Sequence, residues 1–206
     1  MIDDHPLTRE GIGLAVRAAT SGGTVVSVGT IEEAEARLAK GRFALVLMDF
    51  QMPGVNGFTG FLRIQHASPD TSIAIVSSHE RPSLVNAARA LGAAGYLFKS
   101  EPLDSIADRI AAILSGACVF PDGSAQDRSI LNLRERIETL SRSQLNVLLA
   151  LADGQANKQI AHHLSITEAT VKAHMSAIFR KLGVTNRTQA LIAVRSLLGS
   201  REAKEE

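Results

Sequence analysis

The sequence predicts an α/β domain built on a parallel sheet, followed by a smaller all-α domain. Three observations carry that prediction. Short apolar runs alternate with amphipathic helical stretches up to about residue 115, the alternation then stops, and everything after residue 140 has helical periodicity. Charge divides at the same place. Residues 1–130 carry 11 Lys/Arg against 14 Asp/Glu, a net of −3, whereas 131–206 carry 11 against 7, a net of +4. An acidic part suited to a cation or phosphate is thus joined to a basic part suited to a polyanion.

The strands are Val25 to Val28, Ala44 to Met48, Ile73 to Val76 and Tyr96 to Phe98, each almost continuously apolar, as strands covered on both faces are. Helical spacing occupies 7–19, 31–40, 57–67, 82–92 and 103–115, and Thr30-Ile31-Glu32-Glu33 opens the second of these as a capping box. In such a sheet ligands bind beyond the carboxyl ends of the strands. The polar residues that follow the strands are therefore the informative ones.

Gly116, Pro121, Asp122, Gly123, Ser124 and Gln126 mark a linker, placed at 118–138 between domains at 1–117 and 139–200. Leu133, Ile137 and Leu140 allow a short helix near its end. Helices are then expected at 142–152, 157–164, 167–182 and 187–198, with Gly154 and Gly183 as stops. The longest apolar runs fall far short of the roughly 18 residues that a membrane helix needs. One cysteine, Cys118, permits neither an internal disulfide nor a Cys-rich zinc site, which fits a reducing cytoplasm. His162, His163 and His174 lack the partners of a metal site and read as surface or packing residues.

Asp3 and Asp4 follow the remnant of a first strand, and Asp49 ends the Ala44 to Met48 strand. Carboxylates gathered at adjacent strand ends repel one another unless a hard cation such as Mg2+ lies among them. Ser77 ends the next strand with a hydroxyl, and Lys99 follows the last with a fixed positive charge. A carboxylate nucleophile, a cation, a hydroxyl and a lysine are the parts needed to take up and hold a phosphoryl group. Taken singly, each is also an ordinary surface or capping residue.

Asp3-Asp4-His5-Pro6, Asp49 through Gly57 (DFQMPGVNG), Ser77-Ser78 and Gly95-Tyr96-Leu97-Phe98-Lys99 together resemble the receiver domain of bacterial response regulators. The resemblance implies a flavodoxin-like sheet in 2-1-3-4-5 strand order. It makes Asp49 the phosphoacceptor, Asp4 a direct Mg2+ ligand, Asp3 a ligand through water and Gln51 a ligand through its carbonyl. By the same resemblance Ser77 and Lys99 bind phosphoryl oxygens, and Tyr96 is an aromatic switch that turns inward when Ser77 moves. Only Met1 and Ile2 precede the acidic pair, so the first strand is read as truncated and the natural start is expected several residues upstream.

Leu140 through Ala190 resembles the LuxR-type helix-turn-helix domain, carried by Asn157-Lys158-Gln159-Ile160-Ala161, Thr170-Val171-Lys172-Ala173-His174, Lys181-Leu182-Gly183-Val184 and Asn186-Arg187-Thr188, with Gln144 where the family usually has glutamate. Together the two resemblances describe the NarL/FixJ arrangement. At about 100° per residue, Val171, Met175, Ile178 and Leu182 share the inward face of the third helix. Ala173, Ser176 and Arg180 share the outer face with Lys172 and Thr170 on its flanks, so small side chains admit a groove while Lys172 and Arg180 reach phosphates or bases. Asn157, Lys158 and Thr167 complete the candidate DNA contacts. The last helix, with Leu191, Ile192, Arg195 and Leu198, is by resemblance the dimerisation helix.

The function expected is a transcription factor in which a sensor histidine kinase phosphorylates Asp49, controlling homodimerisation and binding to double-stranded DNA, with no membrane role. A dehalogenase-type phosphatase is disfavoured because Gln51 stands where its second acid belongs. A phosphate-independent scaffold does not explain why every phosphorylation position holds a usable residue. A small-molecule sensor is disfavoured by zero Trp and one Tyr.

Overall fold

A computed structural model describes residues 1–198 apart from 21, 54, 56, 57 and 122–127, and the side chains of 128–131, 134 and 195–198 also lie outside the described set. The chain divides into two compact units, Met1–Gln126 and Asp127–Glu206.

The first unit is a parallel sheet covered by helices. Its strands are β1 (Leu45–Asp49), β2 (Ser72–Ser77) and β3 (Gly95–Phe98), in the order β1-β2-β3. Register places Val46 opposite Ile73 and Ile75 opposite Tyr96, so Asp49 and Ser77 end neighbouring strands at the same edge. Around them run α1 (Pro6–Ala19), α2 (Ile31–Leu38), α3 (Thr59–Ala67), α4 (Pro82–Ala90) and α5 (Leu103–Leu114). Local chemistry explains the starts. Pro6 and Pro82 open α1 and α4, where the missing N–H costs nothing. Thr30 caps α2 by accepting the Glu33 N–H, while Glu33 reaches back to the Gly29 N–H.

Leu47, Ala74, Val76 and Leu97 face α1 and α5, joining Ile12, Ala15, Ile106, Ile110 and Ile113 in one buried cluster. Burial on this scale supplies most of the folding free energy at about 25 cal/mol per Å² of apolar surface. The expected Val25 to Val28 strand does not form a ladder. Ile2 sits between Val28 and Met48 and bridges both in parallel, which gives the central position of the expected order, each as an isolated bridge among the described residues. Pairing ends where Met1 donates to the Val26 carbonyl. Beyond it lies a cavity of ≈ 430 Å³ lined by Val16, Val25, Val26, Leu45 and Leu114 among others. The helix expected from residue 57 begins at Thr59.

The second unit is helical: α6 (Arg128–Glu138), α7 (Arg142–Ala152), α8 (Asn157–His163), α9 (Glu168–Leu182) and α10 (Arg187–Leu198). Gln144 completes the α7 capping box with Ser141 and also accepts the Lys181 ammonium at 2.8 Å, so the amide does both tasks without a carboxylate. Gly183 ends α9 in the left-handed region, φ 68°, and Arg136 Nη1 lies 2.7 Å from where a Cβ would be. That guanidinium donates to the Leu182 carbonyl at 2.6 Å, tying α6 to the end of α9. The expected linker thus carries a helix in its second half; its residues 122–127 lie outside the described set. Among the described residues no helix is long and apolar enough to cross a membrane.

Candidate functional site

Asp3 and Asp49 are buried carboxylates with almost no exposure. Lys99, one residue past β3, projects its ammonium between them, 2.7 Å from Asp3 Oδ2 and 2.9 Å from Asp49 Oδ2. The other oxygens are held by turn N–H groups: His5 N–H donates to Asp3 Oδ1 at 2.7 Å and Gln51 N–H to Asp49 Oδ1 at 3.1 Å. Burial pushes the Asp49 carboxyl above the usual carboxylate range, only partly offset by the Lys99 and Gln51 hydrogen bonds, and the Asp3 charge adds to the rise. Burial also opposes the Lys99 ammonium, but its two carboxylate partners outweigh that and hold its pKa above that of ordinary lysine. Lys99 serves two anions, whereas Asp49 shares its one cation with Asp3.

Potential ligand atoms of Asp3, Asp4, His5 and Asp49 lie within 4.8 Å of one another. Asp4 Oδ1 is buried without a well-formed hydrogen bond, although His5 Nδ1 lies 2.9 Å from it. Three carboxylates against one lysine, with an oxygen unsatisfied, form a donor set that suits a hard divalent cation. His5 adds an imidazole to the ligand set expected from sequence, and its adjacency to the aspartate pair is the signal for it.

Ser77 is buried at the end of β2, its Oγ accepting the His79 N–H at 3.0 Å. Tyr96 is already inside: its ring is fully buried and its hydroxyl donates to the His79 carbonyl at 2.9 Å. Burial raises its pKa. Gln51 Nε2 and His79 Nε2 approach to 3.3 Å across the rim of the site. Gly54, Asn56 and Gly57 of the recognised motif lie outside the described residues.

In the helical unit, Lys158, Thr167, Lys172, Ala173, Ser176 and Arg180 are exposed, and Asn157 and Thr170 are half-buried. Val171, Ile178 and Leu182 anchor the inner face of α9, with Met175 half-buried beside them. Thr167 is the N-cap of α9, its hydroxyl accepting the Thr170 N–H at 3.1 Å, and Ser176 donates to the Lys172 carbonyl. On α10, Ala190 and Val194 are buried, Leu191 is half-buried and Ile192 is 63% exposed. The side chains of Arg195 and Leu198 lie outside the described set.

Comparison with known proteins agrees with both halves. Residues 1–111 match the response regulator receiver domain family, and residues 138–194 match the bacterial regulatory proteins of the luxR family. A glycerol metabolism activator of Pseudomonas putida is 35% identical over 202 residues, covering 93% of this chain and 91% of that protein. The chain belongs to the LuxR-type response regulators. The transcriptional regulatory protein DegU of Brevibacillus brevis is 29% identical over 212 residues, covering 93% of this chain and 90% of that one. Among solved structures, a complex of the response regulator RcsB with DNA superimposes with a TM-score of 0.55 at 23% identity, covering 95% of this chain and 96% of that one, a likeness of fold. As a response regulator the protein is a two-component transcription regulator with a DNA-binding helix-turn-helix, not a metabolic enzyme.

Proposed function

We propose that this response regulator takes a phosphoryl group from a sensor histidine kinase onto Asp49, and that the modification controls its dimerisation and its binding to double-stranded DNA. The observation that carries the reading is the buried Asp49 carboxylate, aligned by the Gln51 N–H and by Lys99 at the end of β1. An Asp49 oxygen attacks phosphorus in line, the P–N bond to the kinase imidazole breaks, and the imidazole departs with the electron pair. Asp4, Asp3, Asp49 and the Gln51 carbonyl would hold Mg2+, which supplies charge neutralisation for the transferring group. Lys99 turns its ammonium from Asp3 and Asp49 to the phosphoryl oxygens, and Ser77 donates its hydroxyl to another. Tyr96, packed beside Ser77, couples that change to the outer surface.

The helical unit delivers the output. Lys158, Lys172 and Arg180 neutralise DNA phosphates or read bases, and Asn157, Thr167, Thr170, Ala173 and Ser176 shape the approach to the groove. Leu191, Ile192, Arg195 and Leu198 of α10 pair two copies on DNA. Domains at 1–117 and 139–200 with a linker at 118–138 accommodate these roles.

Intact-mass measurement with acetyl phosphate and Mg2+ tests the reading. The wild type should gain about 80 Da, one phosphoryl group on an aspartate, and Asp49→Ala should not. An unchanged gain in Asp49→Ala would show that the nucleophile lies elsewhere.

A further inference from the structure

The chain leaving α5 does not leave the sheet. Val119 N–H donates to the Ala94 carbonyl at 2.9 Å, and the Val119 carbonyl accepts the Tyr96 N–H at 2.9 Å, adding one parallel bridge to the outer edge of β3. The Val119 side chain packs on the cluster that contains Ile113 and Leu97. Next to it the Phe120 ring lies under the Arg89 guanidinium of α4, 4.3 Å from ring centroid to Cζ. Gly95 is the residue that admits this approach: a Cβ there would stand 2.8 Å from the Val119 carbonyl oxygen and 2.7 Å from Ile113 Cδ1. A backbone bridge at Val119, admitted by a glycine that a side chain would spoil, and a ring–cation contact at Phe120 thus hold these two residues at the outer edge of β3.

The holding points are on the responsive side of the domain. Tyr96 gives its N–H to the strap and its hydroxyl to His79, whose own N–H is on Ser77. A change at Ser77 therefore reaches Val119 through His79 and Tyr96. We propose that Cys118 to Phe120 form a latch: docked on β3 and α4 they restrain DNA binding by shortening the tether to the helical unit, and displacement of α4, which carries Arg89, releases them. Releasing residues 117–121 frees a segment that reaches at most about 17 Å when extended. The release step rests on Asp49 being the phosphoacceptor; the restraint does not.

The test uses the full chain and two variants, Phe120→Ala and Val119→Pro, the second removing the strap's donor. Each is made in the wild-type and in the Asp49→Ala background. Amide hydrogen exchange at Tyr96 reads docking, and affinity for a duplex enriched by the wild-type chain from a random-sequence library reads output. Without phosphodonor, Phe120→Ala should raise both exchange and affinity by between about threefold and thirtyfold, the range set by losing one cation–ring contact. Val119→Pro should act in the same direction, and both effects should persist in Asp49→Ala. Faster exchange with unchanged affinity in both variants would overturn the latch, as would unchanged exchange in both. Wild-type protein shown by mass to be fully phosphorylated, yet with unaltered Tyr96 exchange, would overturn the release step while leaving the phosphoacceptor standing. Absence of the mass gain, with the variants still binding more tightly in Asp49→Ala, would reject the phosphoacceptor and keep the restraint.

Discussion

Replacing Lys99 by methionine removes a charge at nearly constant side-chain length, and the structure sets what that costs. The ammonium makes the charged contacts to Asp3 Oδ2 at 2.7 Å and to Asp49 Oδ2 at 2.9 Å, and each carboxylate has one further hydrogen bond, from a turn N–H. Breaking a buried ion pair by deleting one partner costs about 3–5 kcal/mol. Here the loss is limited, because one of the two stranded carboxylates can bind a proton and because Lys99 itself is partly exposed. We therefore expect Lys99→Met to lose about 2–4 kcal/mol at pH 7 in the presence of a chelator, the order of 8–16 °C in the melting temperature of a domain this size. Mg2+ should reverse the sequence of effects. A divalent cation among Asp3, Asp4 and Asp49 replaces the missing ammonium, and a ligand at 100 times its dissociation constant stabilises by about 2.7 kcal/mol. In the wild type Lys99 already occupies the carboxylates, so its Mg2+-induced shift should be smaller than the variant's. Thermal melts of both chains by circular dichroism, with chelator and with millimolar Mg2+, decide the matter. A variant that melts within about 2 °C of wild type without Mg2+ would show that Lys99 does not neutralise this site.

Asp49→Asn should act in the opposite sense. The folded-state pKa of Asp49 is raised above the ordinary 3.8, so between these values the folded protein binds more protons than the unfolded, and ionised Asp49 makes the unfolding free energy fall as pH rises through that window. Asp49→Asn should accordingly melt higher than wild type at neutral pH without Mg2+, the gap closing as pH falls toward 3.8; a gap independent of pH would contradict the assignment of burial as the cause. On DNA, Lys172→Ala should weaken every sequence alike and reduce the salt slope by about one unit, as loss of one phosphate contact requires, whereas a loss confined to one base position would make Lys172 a base reader. On α10, Ile192→Asp should weaken dimerisation of the DNA-bound form at least about tenfold by sedimentation, since a charge then occupies an apolar contact; undiminished dimerisation would move the interface off this helix.

What was legible in the sequence follows from which interactions are local. Thr30 and Glu33, Ser141 and Gln144, and Thr167 and Thr170 are three residues apart, so each helix start is visible as spacing and is found with its capping bond made. Asp49, Ser77 and Lys99 were legible as a group because parallel strands bring their carboxyl ends to one edge. The failure at Val25 to Val28 is also physical. A strand's apolar pattern reports only that it can be buried, whereas a ladder needs a partner of equal length, and here Ile2 supplies a single bridge.

The features missed are those in which one residue is defined by distant ones. Nothing near Lys99 in sequence says that it pairs with Asp3, 96 residues away, and nothing near Val119 says that it will close the edge of β3. Gly95 carried the available signal for the second. A glycine opening an otherwise bulky strand, Gly95-Tyr96-Leu97-Phe98, weakens that strand unless something approaches it closely, and the approaching atoms are Ile113 Cδ1 and the carbonyl oxygen of Val119. The same residue that relaxes β3 locally is what lets the segment beyond α5 dock beside Tyr96. Strand propensity at that position has been given up for two contacts that only the folded domain can make, one with the core side chain Ile113 and one with the Val119 backbone.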